Sequence, residues 1–520
     1  MALASAIEGH ARRTPGHTAL HFAERDISYL QLWQRVEAQT ASLILHGVRP
    51  GDRLAWLGLN DPAMLVLLFA LARIGAILLP LNYRLAQAEL LAILEHARAA
   101  LIVADSSHQA VAQALAAGAK IKLLDVVTGA GIDAAIDAAD LPSEPTQAGD
   151  NPPAIDPGRL QGGAAPPVLL VYSSGTTGQP KGALHTQAGL LANCAASIDM
   201  HQFSGGDHVL TVLPMFHVGG LCIQTLPALV AGARVTIHAR FDPAAWLADV
   251  QRLRPTTSLL VPATLRAVLA HPTFDATDLS SLRLLGAGSS TIPASQIEAF
   301  HARGVPVCQV YGATETGPVS ICLKPLDALG HAGSAGRAAL NVAVRLVDDR
   351  GEDAPQGEVG EIWIRAPNVM SRYWRDDGNP AFAQGWFHSG DLARLDADGF
   401  YWVVGRSKDM IISGGENIYP AELENVLADC PLIQEAAVLG VPDEQWGEAV
   451  VAVIVKTTDA LLDENAVLTL FAGKLARFKQ PRRVLFAASL PKTALGKVQK
   501  AALLVWLEQE MKLPIIPSGY

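Results

Sequence analysis

Tyr172-Ser173-Ser174-Gly175-Thr176-Thr177-Gly178-Gln179-Pro180-Lys181-Gly182 continues the apolar run 168–172, which reads as a buried strand ending abruptly in a loop. The loop brings serine and threonine hydroxyls, glycines and one lysine together. That composition suits phosphate: glycine lets backbone N–H groups approach oxygens closely, hydroxyls add donors, and Lys181 supplies a point charge. The spacing is not that of a Walker A loop, and Pro180 prevents a helix from opening where that motif needs one. A flexible linker would not hold Pro180 and Lys181 at fixed places inside it.

Outward from this loop the pattern is one of alternating layers. Helical periodicity at 28–46, 61–73 and 86–97 alternates with short apolar strands at Arg53–Leu57, 76–81 and 100–104, which predicts an α/β fold. The most membrane-like stretch, 63–81, is interrupted by Arg73 and Gly75. With Asp61 as N-cap and Pro62 in the first turn, it reads as a buried helix and a strand, so no membrane span is expected. The Pro- and Gly-rich segment 141–167 reads as a surface connection. After 401–404, the stretch Gly405-Arg406-Ser407-Lys408-Asp409 separates a large body from a smaller strand–helix unit. The expected division is 1–404, a hinge at 405–408, and 409–520.

Composition sets the class. A chain of 520 residues exceeds one hydrophobic core, and 50% hydrophobic against 17% charged residues predicts packed globular domains. The net charge of −10 gives no basic field for nucleic acid. Cys194, Cys222, Cys308, Cys322 and Cys430 show no metal or disulfide spacing, which fits a reducing cytoplasm, and neither terminus carries a targeting signal.

Together with the loop, five further segments, Leu213-Pro-Met-Phe-His-Val-Gly-Gly220, Tyr311-Gly-Ala-Thr-Glu-Thr-Gly317, Gly385-Trp-Phe-His-Ser-Gly-Asp391, Gly405-Arg-Ser-Lys-Asp409 and Pro491-Lys-Thr-Ala-Leu-Gly-Lys497, occur in the order found in the adenylate-forming superfamily. The chain resembles its acyl-CoA synthetase branch over essentially its whole length. The resemblance implies a large multi-layer N-terminal domain of α/β subdomains and a small, mobile α+β C-terminal domain. It also implies ATP and coenzyme A as cosubstrates, Mg2+ as cofactor, and allows a homodimer.

Residue roles follow from the same resemblance. Ser173, Ser174, Gly175, Thr176, Thr177, Gly178 and Lys181 would hold phosphates, with Thr176 also catalytic. Tyr311 and Gly312 would meet adenine, Thr314 the α-phosphate, and Glu315 the Mg2+. Asp391 would accept the ribose hydroxyls and Arg406 donate to the ribose, as their hydrogen-bonding inventories allow. Gly286, Ala287 and Gly288 would line adenine and the acyl group. His217, Val218, Gly219, Gly220, Val261, Ala313 and Gly317 would form the acyl pocket. Lys497 would bring a catalytic cation to the crowded carboxylate and α-phosphate. Lys408 would be the hinge residue, and Gly414 and Gly415 would face the pantetheine arm of coenzyme A.

The expected activity is therefore ATP-dependent acyl-CoA synthesis through an acyl-adenylate. An amino-acid adenylation domain would place a carboxylate where His217 follows Phe216, and a serine hydrolase would need a Gly-x-Ser-x-Gly elbow, which the chain lacks. The small residues Gly219, Gly220, Gly286, Ala287, Gly312 and Ala313, with Cys222, Ile223, Val261 and Pro262 as apolar walls, predict a roomy apolar site. On that ground the expected acid is a medium- or long-chain fatty acid, with a hydroxycinnamate-type aryl acid as the alternative.

Overall fold

The structure, a computed structural model, describes residues 2–125, 166–173, 181–288, 292–376, 381–414, 416–443, 445–458, 461–492 and 498–511. Most of segment 141–167 thus lies outside the described residues.

The chain is an α/β protein whose described residues form four sheets. Strands Arg53–Leu57, Ile77–Leu81, Leu101–Ala104, Lys122–Asp125 and Pro167–Ser173 run parallel in a seven-stranded sheet. Lys181–Thr186 then pairs antiparallel with Pro167–Ser173, so the phosphate-type loop connects two adjacent strands. A nine-stranded sheet has a parallel centre of Thr18–Phe22, Arg234–Ile237, His208–Thr211, Thr257–Leu260, Leu284–Gly288 and Val307–Tyr311.

The helix Pro62–Ile74 explains how these two sheets join. Asp61 caps it by accepting from the Ala63 amide at 2.7 Å, Pro62 occupies the first turn, and Gly75 closes it at φ +81°. Of its thirteen residues, all but Ala63 and Arg73 are buried. The core cluster it belongs to takes in residues of both sheets: Leu54, Trp56 and Leu78 from one, Leu20, Val209 and Val235 from the other. A helix apolar on every side belongs between two layers, and each buried Leu or Phe side chain contributes about 1.5–3 kcal/mol. Among the described residues no helix is long and apolar enough to cross a membrane.

A third, antiparallel sheet contains Ala343–Val347, Val359–Arg365, Trp386–Leu395 and Tyr401–Arg406. Gly405 and Arg406, expected in the hinge, lie in its last strand, where they pair with Leu392 and Asp391. The connection beyond is a 3-10 turn, Ser407–Asp409. The C-terminal sheet follows, with a long hairpin of the edge strand Ile433–Asp443 and the inner strand Gly447–Lys456. The run 449–455 reads apolar throughout because both faces are covered. Val450, Ala452 and Ile454 pack with Leu423 and Leu427 of helix Pro420–Ala428, and Val451, Val453 and Val455 with Leu503 and Leu507 of helix Lys500–Met511.

Burial pushes the imidazoles of His185, His201 and His208 down from 6.5 to about 4. Between those values the unfolded chain binds protons that the folded chain does not, so this stability is present above pH 6.5 and is lost as pH falls toward 4. Each histidine contributes a slope of at most about 1.4 kcal/mol per pH unit. Thermal unfolding is expected at clearly lower temperature at pH 5 than at pH 7, with a shallower dependence in His201→Gln. Equal slopes in the two proteins would exclude His201 as a source.

Candidate active site

The carboxyl ends of the parallel strands in the nine-stranded sheet carry most of the predicted site. Tyr311 ends Val307–Tyr311, Gly288 ends Leu284–Gly288, and Val261 follows Thr257–Leu260. Crevices outside strand carboxyl ends are the usual binding places of open α/β sheets.

Tyr311, Asp391 and Arg406 meet there. The Tyr311 hydroxyl donates to Asp391 Oδ2 at 2.8 Å, and Arg406 Nε lies 2.8 Å from Oδ1. Asp391 and Arg406 are opposite partners across two strands, so the pair is built into the sheet register. Burial first, then the Asp391 charge, pushes the Tyr311 phenol well above its ordinary range and keeps it protonated. The same carboxylate is the main cause that holds the Arg406 pKa up.

A second group forms around the 3-10 turn Thr314–Thr316. Glu315 Oε1 accepts from the Tyr373 hydroxyl at 2.8 Å, and Lys181 Nζ stands 5.4 Å from the centre of the Tyr373 ring. Strand Arg372–Tyr373 pairs with Lys181–Thr186, which brings the tyrosine to the lysine. Asn368 fixes the turn from below, donating to the carbonyls of Thr316 (2.8 Å) and Val319 (3.0 Å), while the Met370 amide donates to the Glu315 carbonyl (2.7 Å). Tyr373 and Asn368 were not found from the sequence, because segment 366–374 has neither a loop composition nor a period that singles them out.

In the segment expected to form the acyl pocket, His217 precedes the short helix Val218–Gly220, and its ring packs against Phe216 at 5.5 Å. Burial and then the Arg84 charge push its imidazole down to about 4, so it is neutral near pH 7. The next turn, Leu221–Thr225, is π-helical and wholly buried. The carbonyls it displaces find side-chain donors on helix Gln187–His201: Asn193 to Cys222 at 2.7 Å, and Ser197 to Ile223.

The glycines do not make the site roomy. A Cβ on Gly220 would stand 2.3 Å from the Pro214 carbonyl oxygen, on Gly312 1.8 Å from that of Pro318, and on Gly286 2.7 Å from Gln224 Nε2. A Cβ on Gly317 would stand 2.6 Å from the Asn368 carbonyl oxygen. Their small size admits neighbouring backbone and side chains; only around Gly219 would a Cβ meet open space. Val218 and Ala287 are buried, and Val261 and Ala313 partly so. Residue type alone could not separate empty room from close approach.

Gly414, at φ +62°, packs on the Trp446 ring, and Lys408 sits exposed in the turn Ser407–Asp409. Ser173 ends its strand. Ser174, Gly175, Thr176, Thr177, Gly178, Gly415 and Lys497 lie outside the described residues.

Residues 7–374 match the AMP-binding enzyme family and 422–497 the AMP-binding enzyme C-terminal domain. An indoleacetate–CoA ligase of Aromatoleum aromaticum is 45% identical, covering 96% of this chain and 97% of its own. A feruloyl-CoA synthase of an Amycolatopsis species is 40% identical, covering 94% and 96%. A medium/long-chain fatty acid–CoA ligase of Mycobacterium tuberculosis is 32% identical, covering 95% and 88%. Among solved structures, ATP-bound MatB from Rhodopseudomonas palustris superposes with a TM-score of 0.85 at 31% identity over 98% of this chain and 100% of that one. The anthranilate–CoA ligase AuaEII with anthranoyl-AMP gives 0.87 at 26%, over 99% and 98%. The chain thus belongs to the AMP-binding enzyme family and, within it, to the AMP-forming acid–thiol ligases.

Proposed function

We propose that this ligase activates an aryl carboxylic acid of the arylacetic or hydroxycinnamic type. The observation that carries the reading is the higher identity to aryl-acid ligases, 45% and 40%, than to the fatty-acid ligase at 32%. The closely packed glycines support it, since the expectation of a fatty acid rested on the space they were thought to leave.

In the first step the acid's carboxylate oxygen attacks the α-phosphorus of ATP, and the bond to pyrophosphate breaks. Tyr311 would lie against adenine, its ring plane oriented by the hydroxyl bond to Asp391. Asp391 and Arg406 would serve the ribose, and Thr176, Thr314 and Lys181 the phosphates. The site also fits a hard cation: such ions on phosphate want one or two carboxylates and otherwise water, and Glu315 offers one. Mg2+ held there would neutralise phosphate charge. Among the described residues no group of three His, Cys, Asp or Glu comes together, so the nucleotide's own oxygens would complete the shell. Neutral His217 and the π-helical turn would bound the aryl ring.

In the second step the thiol sulfur of coenzyme A attacks the carbonyl carbon, and the bond to AMP breaks. Rotation of 409–520 about Lys408 would exchange Lys497 for the Gly414–Gly415 face between the two steps. The turn Ser407–Asp409 starts beyond Arg406, so such a rotation would leave the ribose contact in place.

Pyrophosphate release over a panel of acids tests the substrate class. Indole-3-acetate and ferulate are expected to exceed octanoate and palmitate in kcat/KM by at least about tenfold, the discrimination that pocket shape supplies. A preference for palmitate would overturn the aryl reading. Tyr373→Phe removes the hydroxyl that orients Glu315 and should raise the Mg2+ concentration for half-maximal rate while leaving KM for the acid unchanged. An unaltered Mg2+ response would disconnect this pair from the cation. Lys497→Ala is expected to slow adenylation by about 100- to 1,000-fold. It should still convert supplied acyl-adenylate to acyl-CoA, and equal loss in both half-reactions would remove the support for domain alternation.

A further inference from the structure

Gln224 lies in the π-helical turn Leu221–Thr225 and is 2% exposed. Its Nε2 donates to Thr257 Oγ1 at 3.1 Å and to the Ser258 carbonyl at 3.3 Å. Its Oε1 is buried with no partner among the described residues. A buried acceptor left without a donor is costly in a native interior and calls for an explanation.

The surroundings supply one. Gln224 lines a cavity of about 10 Å³ with Thr211, Leu213, Gly220, Thr225 and Leu259, room for about one water-sized group. No spare donor remains on its hydroxyls. Thr225 donates to the Gly220 carbonyl at 2.7 Å, so in the 2.8 Å contact between the two threonines it is Thr211 that donates to Thr225. The cavity therefore offers an acceptor and needs a donor from elsewhere. It borders the expected acid site through Gly220 in its wall, and the Gln224 amide packs where Gly286 has no side chain.

We infer that Gln224 is a specificity-determining residue whose Oε1 accepts a hydrogen bond from an N–H or O–H donor carried on the ring of the aryl acid. The inference rests on the aryl-acid reading and goes beyond it by naming the ring substituent that is selected. The π-helical geometry fits such a role, because one inserted residue re-aims a side chain that a continuous α-helix would place elsewhere. A ring without the donor would bury the oxygen unpaired.

The test uses the full-length enzyme and acid pairs matched in shape: indole-3-acetic against benzothiophene-3-acetic acid, and 4-hydroxycinnamic against cinnamic acid. In each case kcat/KM is measured by pyrophosphate release. In at least one pair the wild type is expected to favour the donor-bearing acid by about 5- to 150-fold, the range for one buried acceptor losing its donor. Gln224→Leu should bring that ratio toward one, with the greater loss of rate falling on the donor-bearing acid. Equal kcat/KM within both pairs in the wild type would overturn the assignment and leave a water as the occupant, a result that stands even if the leucine variant fails to fold. A preference that survives in Gln224→Leu would also overturn it. If none of the four acids is turned over, the aryl reading falls first and this assignment with it, a result distinguishable from turnover without preference.

Discussion

Asp391 is bonded from two sheets at once. Tyr311 reaches it from the end of a parallel strand in the nine-stranded sheet, and Arg406 from the neighbouring strand of the antiparallel one. A carboxylate this well buried is tolerable only with charge and donors supplied, and each donor fixes the position of the layer that carries it. The ring plane of Tyr311, the register of the last antiparallel strand and the start of the connection to the C-terminal sheet all depend on that one group. The side of the site proposed for the nucleotide is therefore formed by an interaction that also aligns two layers of the fold.

A second dependence runs through the turn Thr314–Thr316. Asn368 and the Met370 amide hold its carbonyls from a segment some fifty residues later in the chain. The strand that follows, Arg372–Tyr373, then pairs beside Lys181. One short stretch thus fixes the turn that bears Glu315 and brings Tyr373 to it. The site draws together segments far apart in the sequence because the layered sheets deliver their strand ends to a common edge.

This accounts for what could be read in advance. Local chemistry was legible: the Asp61 cap, the Pro62 start and the Gly75 stop gave Pro62–Ile74 almost to the residue, and strands such as Arg53–Leu57 followed from apolar runs with turn signals on either side. Tyr311, Asp391 and Arg406 were singled out through ordered motifs, although nothing local to any one of them indicated their mutual bonds. What could not be read depends on distant packing. Asn368 and Tyr373 matter only because of partners reached through the fold, and Gly220 or Gly312 looks the same in a sequence whether the absent side chain leaves a void or admits a carbonyl. Arg406 was assigned to the hinge because composition changes there, whereas the sheet register continues two residues further than the composition suggests.

The π-helical turn at Leu221–Thr225 has a bearing on how this pocket could change over generations. Its extra residue is accommodated because Asn193 and Ser197 take up the displaced carbonyls. Removing one residue would let the segment rewind as an ordinary α-helix, and every side chain on one flank would swing by about 100° relative to the other. The polar wall of the cavity would then turn away as a unit and an apolar neighbour would take its place, without any codon for a lining residue being altered. Selectivity at this edge of the pocket is thus encoded partly in the length of the chain, and a change in gene length by a single triplet could redirect it more sharply than most point substitutions.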